Sequence, residues 1–232
     1  SIIMKHTLLI KDWLSSFLSL LFPRCCVVCG RPLAKGEECI CTVCNINLPR
    51  TNYHLRKDNP VERLFWGQIP LERATSFFFY EKGSDFRLIL HRLKYGGQKE
   101  IGAIMGRYMA AELLSSNFFQ GIDVIIPIPL HKKKQQIRGY NQSEWIARGI
   151  AAVTGIPIDT ESILRKKNTE TQTRKSVFER RDNVEGIFEL QHPETLAGKH
   201  ILIVDDVLTT GSTTLACASC LVDVEDIRIS IL

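Results

Sequence analysis

Ile201-Leu-Ile-Val-Asp-Asp-Val-Leu-Thr-Thr-Gly-Ser-Thr-Thr214 joins three parts whose order decides the fold. Ile201–Val204 is apolar at consecutive positions, as a strand buried on both faces of a parallel sheet must be. It runs directly into Asp205 and Asp206, two carboxylates at a strand end, where open α/β sheets bind their ligands. Val207–Thr214 then offers backbone amides, five hydroxyls and Gly211, and leads into a helix. Amides at a helix N-terminus make a cradle for an anion, above all a phosphate. The carboxylates repel phosphate and suit sugar hydroxyls instead. A strand, an Asp-rich turn and a Ser/Thr-capped helix would be the purely structural reading. The stretch lacks the Gly-Lys-Ser/Thr ending of a Walker loop and the glycine spacing of a dinucleotide fingerprint.

Working outward, the rest of the chain alternates strands and helices. Phe77–Tyr80, Val124–Ile126, Ile187–Leu190 and Ile227–Leu232 read as strands. Ser84–Tyr95, stopped by Gly96-Gly97, reads as a helix, as do Glu100–Ser116, Asn141–Val153 and Ser212–Leu221. This alternation predicts an α/β fold with a mostly parallel sheet flanked by helices. Pro127-Ile-Pro-Leu-His131, followed by Arg138-Gly-Tyr-Asn-Gln142, sets a proline-fixed turn and basic side chains at a second strand end. Arg138 can grip phosphate oxygens through two donors, and Asn141 and Gln142 open the next helix. Lys94 is a further candidate anion contact. Arg165–Phe188 is too polar for a core and reads as a flap or an exposed segment.

VDDVLTTGST closely resembles the signature by which type I phosphoribosyltransferases bind phosphoribosyl pyrophosphate (PRPP). The resemblance implies that Asp205 and Asp206 contact the ribose 2- and 3-hydroxyls. It implies that Val207, Leu208, Thr209, Thr210, Gly211, Ser212 and Thr213 wrap the 5-phosphate. Pro129, Arg138, Gly139, Tyr140, Asn141 and Gln142 would face the pyrophosphate half with Lys94. Thr171, Gln172, Arg180, Asn183 and Phe188 look like the spaced flap residues of the ComF family, bacterial competence proteins that carry such a domain; Gln172 and Arg180 join the candidate pyrophosphate contacts.

Six of the eight cysteines lie between Cys25 and Cys44. Cys26-Val-Val-Cys29 and Cys41-Thr-Val-Cys44 form two CxxC knuckles eleven residues apart. That spacing sets four thiolates around one tetrahedral ion, and zinc suits four sulfurs without redox demand. So short a segment would draw its stability from the metal. Cys25 and Cys39 each adjoin a knuckle and could replace a neighbour, while disulfides and an iron–sulfur cluster are alternatives. The double knuckle followed by Leu48-Pro49 also resembles the ComF family. Cys217 and Cys220 read as core packing on the helix after the phosphate loop.

With 44% hydrophobic and 24% charged residues, the chain of 232 residues is neither disordered nor membrane-bound by composition. Lys11 and Asp12 interrupt the first apolar run and no small-residue cleavage site follows, so the expected location is cytoplasmic. Residues 1–24 read as an amphipathic helix, 25–50 as the zinc segment, 51–75 as a connection and 76–232 as the phosphoribosyltransferase domain. The net charge is +5, with basic clusters at His131–Arg138 and Arg165–Arg181.

The expected activity is displacement of pyrophosphate from PRPP, with Mg²⁺ held mainly by the substrate, and transfer to a nitrogen acceptor that no stretch identifies. Positioning and charge stabilisation would carry such a reaction, without a His or Cys nucleophile. The family resemblance links this activity to DNA uptake and to the proteins of an uptake machinery, including a helicase. The rival expectation is a non-catalytic single-stranded-DNA module that uses the zinc knuckle and basic loops.

Overall fold

Alternating apolar runs and helices produce, in the computed structural model of the chain, a four-stranded sheet in which every neighbouring pair is parallel. Residues 23–166 and 186–232 are described; the 1–24 helix up to residue 22 and the flap candidates Thr171, Gln172, Arg180 and Asn183 lie outside them. The chain divides into two compact units, one ending at Leu48 and the other spanning Pro49–Leu232.

In the larger unit β1 is Leu71–Ala74, β2 Val124–Pro127, β3 Ile163–Arg165, β4 Phe188–Leu190, β5 His200–Val204 and β6 Arg228–Ile231. The sheet order is β1-β6-β5-β2. All five residues of β5 are buried, as its consecutive apolar side chains require between two parallel neighbours. Side chains alternate across a sheet, so Val124, Ile126, Ile201, Ile203, Ile229 and Ile231 share one face. There they form a core with Phe65, Cys217 and Leu221, while Ile125 and Leu202 point to the opposite face. Cys217 is wholly buried in that core.

The helices are α2 (Pro60–Arg63), α3 (Arg87–Tyr95), α4 (Glu100–Leu113), α5 (Lys132–Arg138), α6 (Gln142–Thr154) and α7 (Ser212–Ser219); α1 (Thr42–Ile46) belongs to the smaller unit. Helix α6 packs on β2 and β5, and against α4. Small residues let α4 and α6 approach closely: a Cβ at Gly106 would lie 2.1 Å from the Ile146 carbonyl oxygen, and one at Gly149 2.0 Å from that of Ala103.

Three local expectations are corrected. Phe77–Tyr80 is not a strand: Phe78 makes an isolated bridge to Arg50, and the amides of Thr51 and Phe79 bond the Phe77 and Pro49 carbonyls. Residues 51–75 do more than connect, since Leu71–Ala74 is an edge strand and Val61 and Phe65 enter the core. Glu72 and Arg73 disguised that strand, because an edge tolerates charge on its open side. Finally, β4, at the expected strand Ile187–Leu190, pairs antiparallel with β3 in a separate two-stranded sheet instead of joining the parallel one. Among the described residues no helix is long and apolar enough to cross a membrane.

Candidate functional site

Strand β5 ends by delivering Asp205 into the fold. The Asp205 amide donates to the Leu232 carbonyl at 3.0 Å. Its carboxylate accepts from the Asp206 amide at 2.8 Å and from the hydroxyls of Ser143 and Thr214, each at 3.4 Å. Burial, and then the charge of Asp206, raise the Asp205 pKa to about 7, against the hydrogen bond from the Asp206 amide and the charge of Lys94. The Asp206 side chain is 6% exposed and pairs with Lys94, whose Nζ stands 2.9 Å from Oδ2. Lys94 offsets the repulsion between two adjacent carboxyl groups in so confined a site.

Lys94 reaches Asp206 because the end of α3 is tied down. The Tyr140 hydroxyl donates to the Leu93 carbonyl, and Tyr140 is buried, which raises its phenol pKa. Gly139, in the left-handed region at φ 83°, closes α5 and turns the chain toward α6. Asn141 caps α6 by accepting from the Ser143 amide at 3.1 Å and donates to the Ile128 carbonyl at 3.0 Å. Arg138 donates to the Gln142 side chain and lies over the exposed Tyr95 ring, 5.7 Å from its centroid. The basic stretch that the sequence presents as a loop is therefore mostly helix α5, capped by the His131 ring.

Val207–Thr210 form the loop after the carboxylates, with Thr209 and Thr210 exposed. Gly211, at φ 74°, caps α7 without a side-chain bond, so the first amides of α7 have no intrahelical partner. An added Cβ there would also lie 3.1 Å from the Phe65 ring. The Thr210 and Ser212 hydroxyls bond each other at 2.8 Å. A cavity of about 400 Å³ opens beside Asp205, Asp206 and Thr209.

The structure thus gathers Lys94, Asp205, Asp206 and the 207–213 loop, with Arg138 and Gln142 joined to the same region through Tyr95 and α6. Tyr140 and Asn141 spend their polar groups on backbone. Pro129 sits at half-buried depth in the turn after β2. Sequence reasoning did not single out Ser143, Thr214 or Arg165. Ser143 directly follows the RGYNQ string and Thr214 ends the phosphate loop, so both stood beside a visible signal. Arg165 lies over the Phe188 ring at 5.3 Å; burial lowers its pKa while the charge of Asp205 opposes that.

In the smaller unit the sulfurs of Cys26, Cys29, Cys41 and Cys44 all lie within 4.8 Å of one another. Cys29 and Cys41 sulfurs are 3.7 Å apart. A tetrahedral ion with zinc–sulfur bonds of about 2.3 Å sets sulfurs about 3.8 Å apart, so the residues fit zinc. The Arg31 amide is the largest influence that lowers the Cys29 pKa to about 6, aided by the other three thiols. The Cys41 and Cys44 amides point at the Cys26 and Cys41 sulfurs, at 3.3 and 3.5 Å. Cys25 is exposed and donates to the Pro23 carbonyl; neither it nor Cys39 belongs to the four-sulfur group.

No family model matches the chain. The chain is similar to the DNA utilization protein YhgH of Escherichia coli O157:H7, at 32% identity over 86% of this chain and 91% of that protein. It is similar to Competence protein F of Haemophilus influenzae, at 31% identity over 54% of this chain and 57% of that one. Competence protein ComFC of Bacillus subtilis is 26% identical over 91% of this chain and 83% of its own. Among solved structures, the glutamine phosphoribosylpyrophosphate amidotransferase from B. subtilis, complexed with ADP and GMP, is 20% identical over 58% of this chain and 26% of that one. Its TM-score of 0.37 is too low to argue from.

Proposed function

We propose that this chain, which belongs to the ComF family together with the DNA utilization protein YhgH and the competence proteins F and ComFC, binds PRPP at the β5–α7 loop and transfers its phosphoribosyl group in the service of DNA uptake. The observation that carries the reading is the paired Asp205 and Asp206 at the end of the buried central strand, followed at once by the loop into α7. Carboxylates accept from the ribose hydroxyls, and the first amides and hydroxyls of Val207–Thr213 hold the 5-phosphate. Lys94 and Arg138, with Arg180 from outside the described residues, neutralise the pyrophosphate, and Gln172, also outside them, donates hydrogen bonds to it.

In the reaction the bond from the anomeric carbon to pyrophosphate breaks, and its electron pair leaves on pyrophosphate. The acceptor nitrogen forms the new bond and gives up its proton to the departing pyrophosphate or to water. Mg²⁺ bound with PRPP would supply charge neutralisation on the leaving group. This chain's part is to orient: Ser143 and Thr214 fix Asp205, Tyr140 fixes the end of α3, and Lys94 is thereby held at the carboxylates. Asp205 and Asp206 are the catalytic pair in this scheme. Zinc at Cys26, Cys29, Cys41 and Cys44 has a structural role. In this reading the protein works in the cytoplasm.

The test is thermal protection. PRPP with Mg²⁺ raises the melting temperature of the wild type and leaves the Asp205→Asn/Asp206→Asn variant unmoved. Equal protection of both places PRPP elsewhere.

A second reading has its own observation. Arg138 lies over the exposed Tyr95, and Lys99 and Arg148 lie 4.8 and 4.9 Å from the centroid of Trp145. An exposed aromatic ring beside a cation, as Tyr95 is beside Arg138, is what a single strand stacks on, whereas Trp145 is half-buried. In that reading the chain is a DNA-binding module without catalysis. Its single-stranded DNA affinity would fall steeply between low and physiological salt, and would fall again in Tyr95→Ala. DNA affinity that ignores salt excludes it.

A further inference from the structure

The loop after the carboxylates is placed by packing and not by a ladder. The Asp205 amide is bonded to the Leu232 carbonyl, but among the described residues no backbone carbonyl takes the amides of Val207–Gly211. Such a loop keeps one geometry only where side chains hold it. On one side Leu208 packs half-buried against the main core. On the other stands the segment before β1. The three atoms nearest to a Cβ added at Gly211 are Cζ and Cε1 of Phe65, at 3.1 and 3.2 Å, and Cδ1 of Leu64, at 3.6 Å. The edge of the Phe65 ring thus lies against the backbone at the point where the loop turns into α7, and Phe65 is wholly buried.

The ring is itself held in place. Asn59, 3% exposed, accepts from the Val61 and Glu62 amides at 2.9 and 3.1 Å, and the Glu62 carboxylate accepts from the Asn59 amide at 3.2 Å. This reciprocal cap fixes the start of α2, the helix that leads into Leu64 and Phe65. The Asn59 side-chain amide also donates to the Ala74 carbonyl at 2.8 Å, which ties α2 to β1. Strand β1 belongs to the same sheet as β5, so the carboxylates and the Phe65 ring are set by one frame.

We propose that Phe65 is a positioning residue: its ring sets the place of Gly211, and through it the distance between the amides that hold the 5-phosphate and the carboxylates that hold the ribose. This role rests on the phosphoribosyl reading above and brings residues 59–65, which the sequence presents as part of a connection, into the support of the site. A ligand gripped at two points tolerates little change in their separation, so a displaced loop weakens binding without unfolding the chain. A Phe65 that served only the core would leave ligand affinity untouched when another apolar side chain of similar size replaced it.

Calorimetric titration with PRPP and Mg²⁺ compares the full wild-type chain with Phe65→Leu and with Ile229→Val, a loss of volume elsewhere in the same core. Hydrogen exchange across residues 205–214 is followed in each free protein. Phe65→Leu should weaken PRPP by about fivefold or more and speed exchange in that stretch, while Ile229→Val changes the affinity by less than about twofold and leaves the exchange as it was. Should Phe65→Leu fail to fold, Phe65→Met, which keeps an apolar side chain and removes the ring, is read against the same thresholds. A smaller loss of affinity, unchanged exchange at 205–214, or an equal loss in Ile229→Val overturns the role of Phe65 and leaves the PRPP site standing. If the wild type does not bind PRPP, both fall together.

Discussion

Asp205→Asn separates what the site requires from what the fold prefers. In the folded chain burial and the neighbouring Asp206 raise the Asp205 pKa from 3.8 to about 7. The folded state therefore holds this proton more tightly than the unfolded chain, where a carboxyl titrates near 4. Stability contributed by the protonated form is present at low pH, falls as pH rises from about 4 to about 7, and stays lost above that. A shift of about 3 pKa units at 1.36 kcal/mol each corresponds to about 4 kcal/mol at pH 8. Asparagine mimics the neutral acid, keeping an oxygen for the Asp206 amide and Ser143 and an amide for Thr214. The variant should gain most of that energy at pH 8 and almost none at pH 4.5. For a unit of this size each kcal/mol moves the melting temperature about 2–4 °C, so the gain at pH 8 is roughly 6–16 °C. Differential scanning calorimetry at the two pH values reads it directly. A variant that melts no higher than wild type at pH 8, or gains equally at both pH values, refutes the argument that ionised Asp205 strains the fold.

Other expectations follow from the same structure. Gly149→Ala drives a Cβ to 2.0 Å from the Ala103 carbonyl oxygen, so α4 and α6 must separate; the loss should be about 3 kcal/mol or more, read from the urea midpoint, and an unchanged midpoint contradicts the close approach. Tyr140→Phe removes the hydroxyl that holds the Leu93 carbonyl and should lower stability by about 1 kcal/mol in urea titration, with a parallel loss of PRPP affinity through Lys94. The purified chain should carry one zinc per molecule by elemental analysis, lost in Cys41→Ser and on chelation, with new proteolytic cleavage confined to residues before Leu48. A metal-free chain with an equally protected segment would refute the structural role.

Ile201–Val204 could be read from sequence because a fully buried parallel strand leaves an uninterrupted apolar run. Val124–Ile126 was legible for the same reason, and the double CxxC because metal geometry imposes its own spacing. Leu71–Ala74 was hidden: a short edge strand with one buried residue looks like a connection. Phe77–Tyr80 misled in the other direction, since its aromatic residues serve a cavity wall instead of a ladder. Tyr140 and Asn141 show a different limit. A polar side chain near a site binds a ligand or a backbone carbonyl with the same chemistry, and only the fold reveals that Leu93 and Ile128 take these two. Thr214 was legible as a loop hydroxyl but not as a partner of Asp205, and Ser143 not at all, because nothing in a lone hydroxyl announces that it faces Asp205 across 9 or 62 positions of chain.

Calorimetric titration of the full chain with PRPP and Mg²⁺ tests the central claim most directly. One PRPP per chain bound by the wild type, and no heat of binding with Asp205→Asn/Asp206→Asn, is the predicted result. The absence of binding by the wild type, or equal binding by the variant, would contradict the assignment of the β5–α7 loop as a phosphoribosyl site.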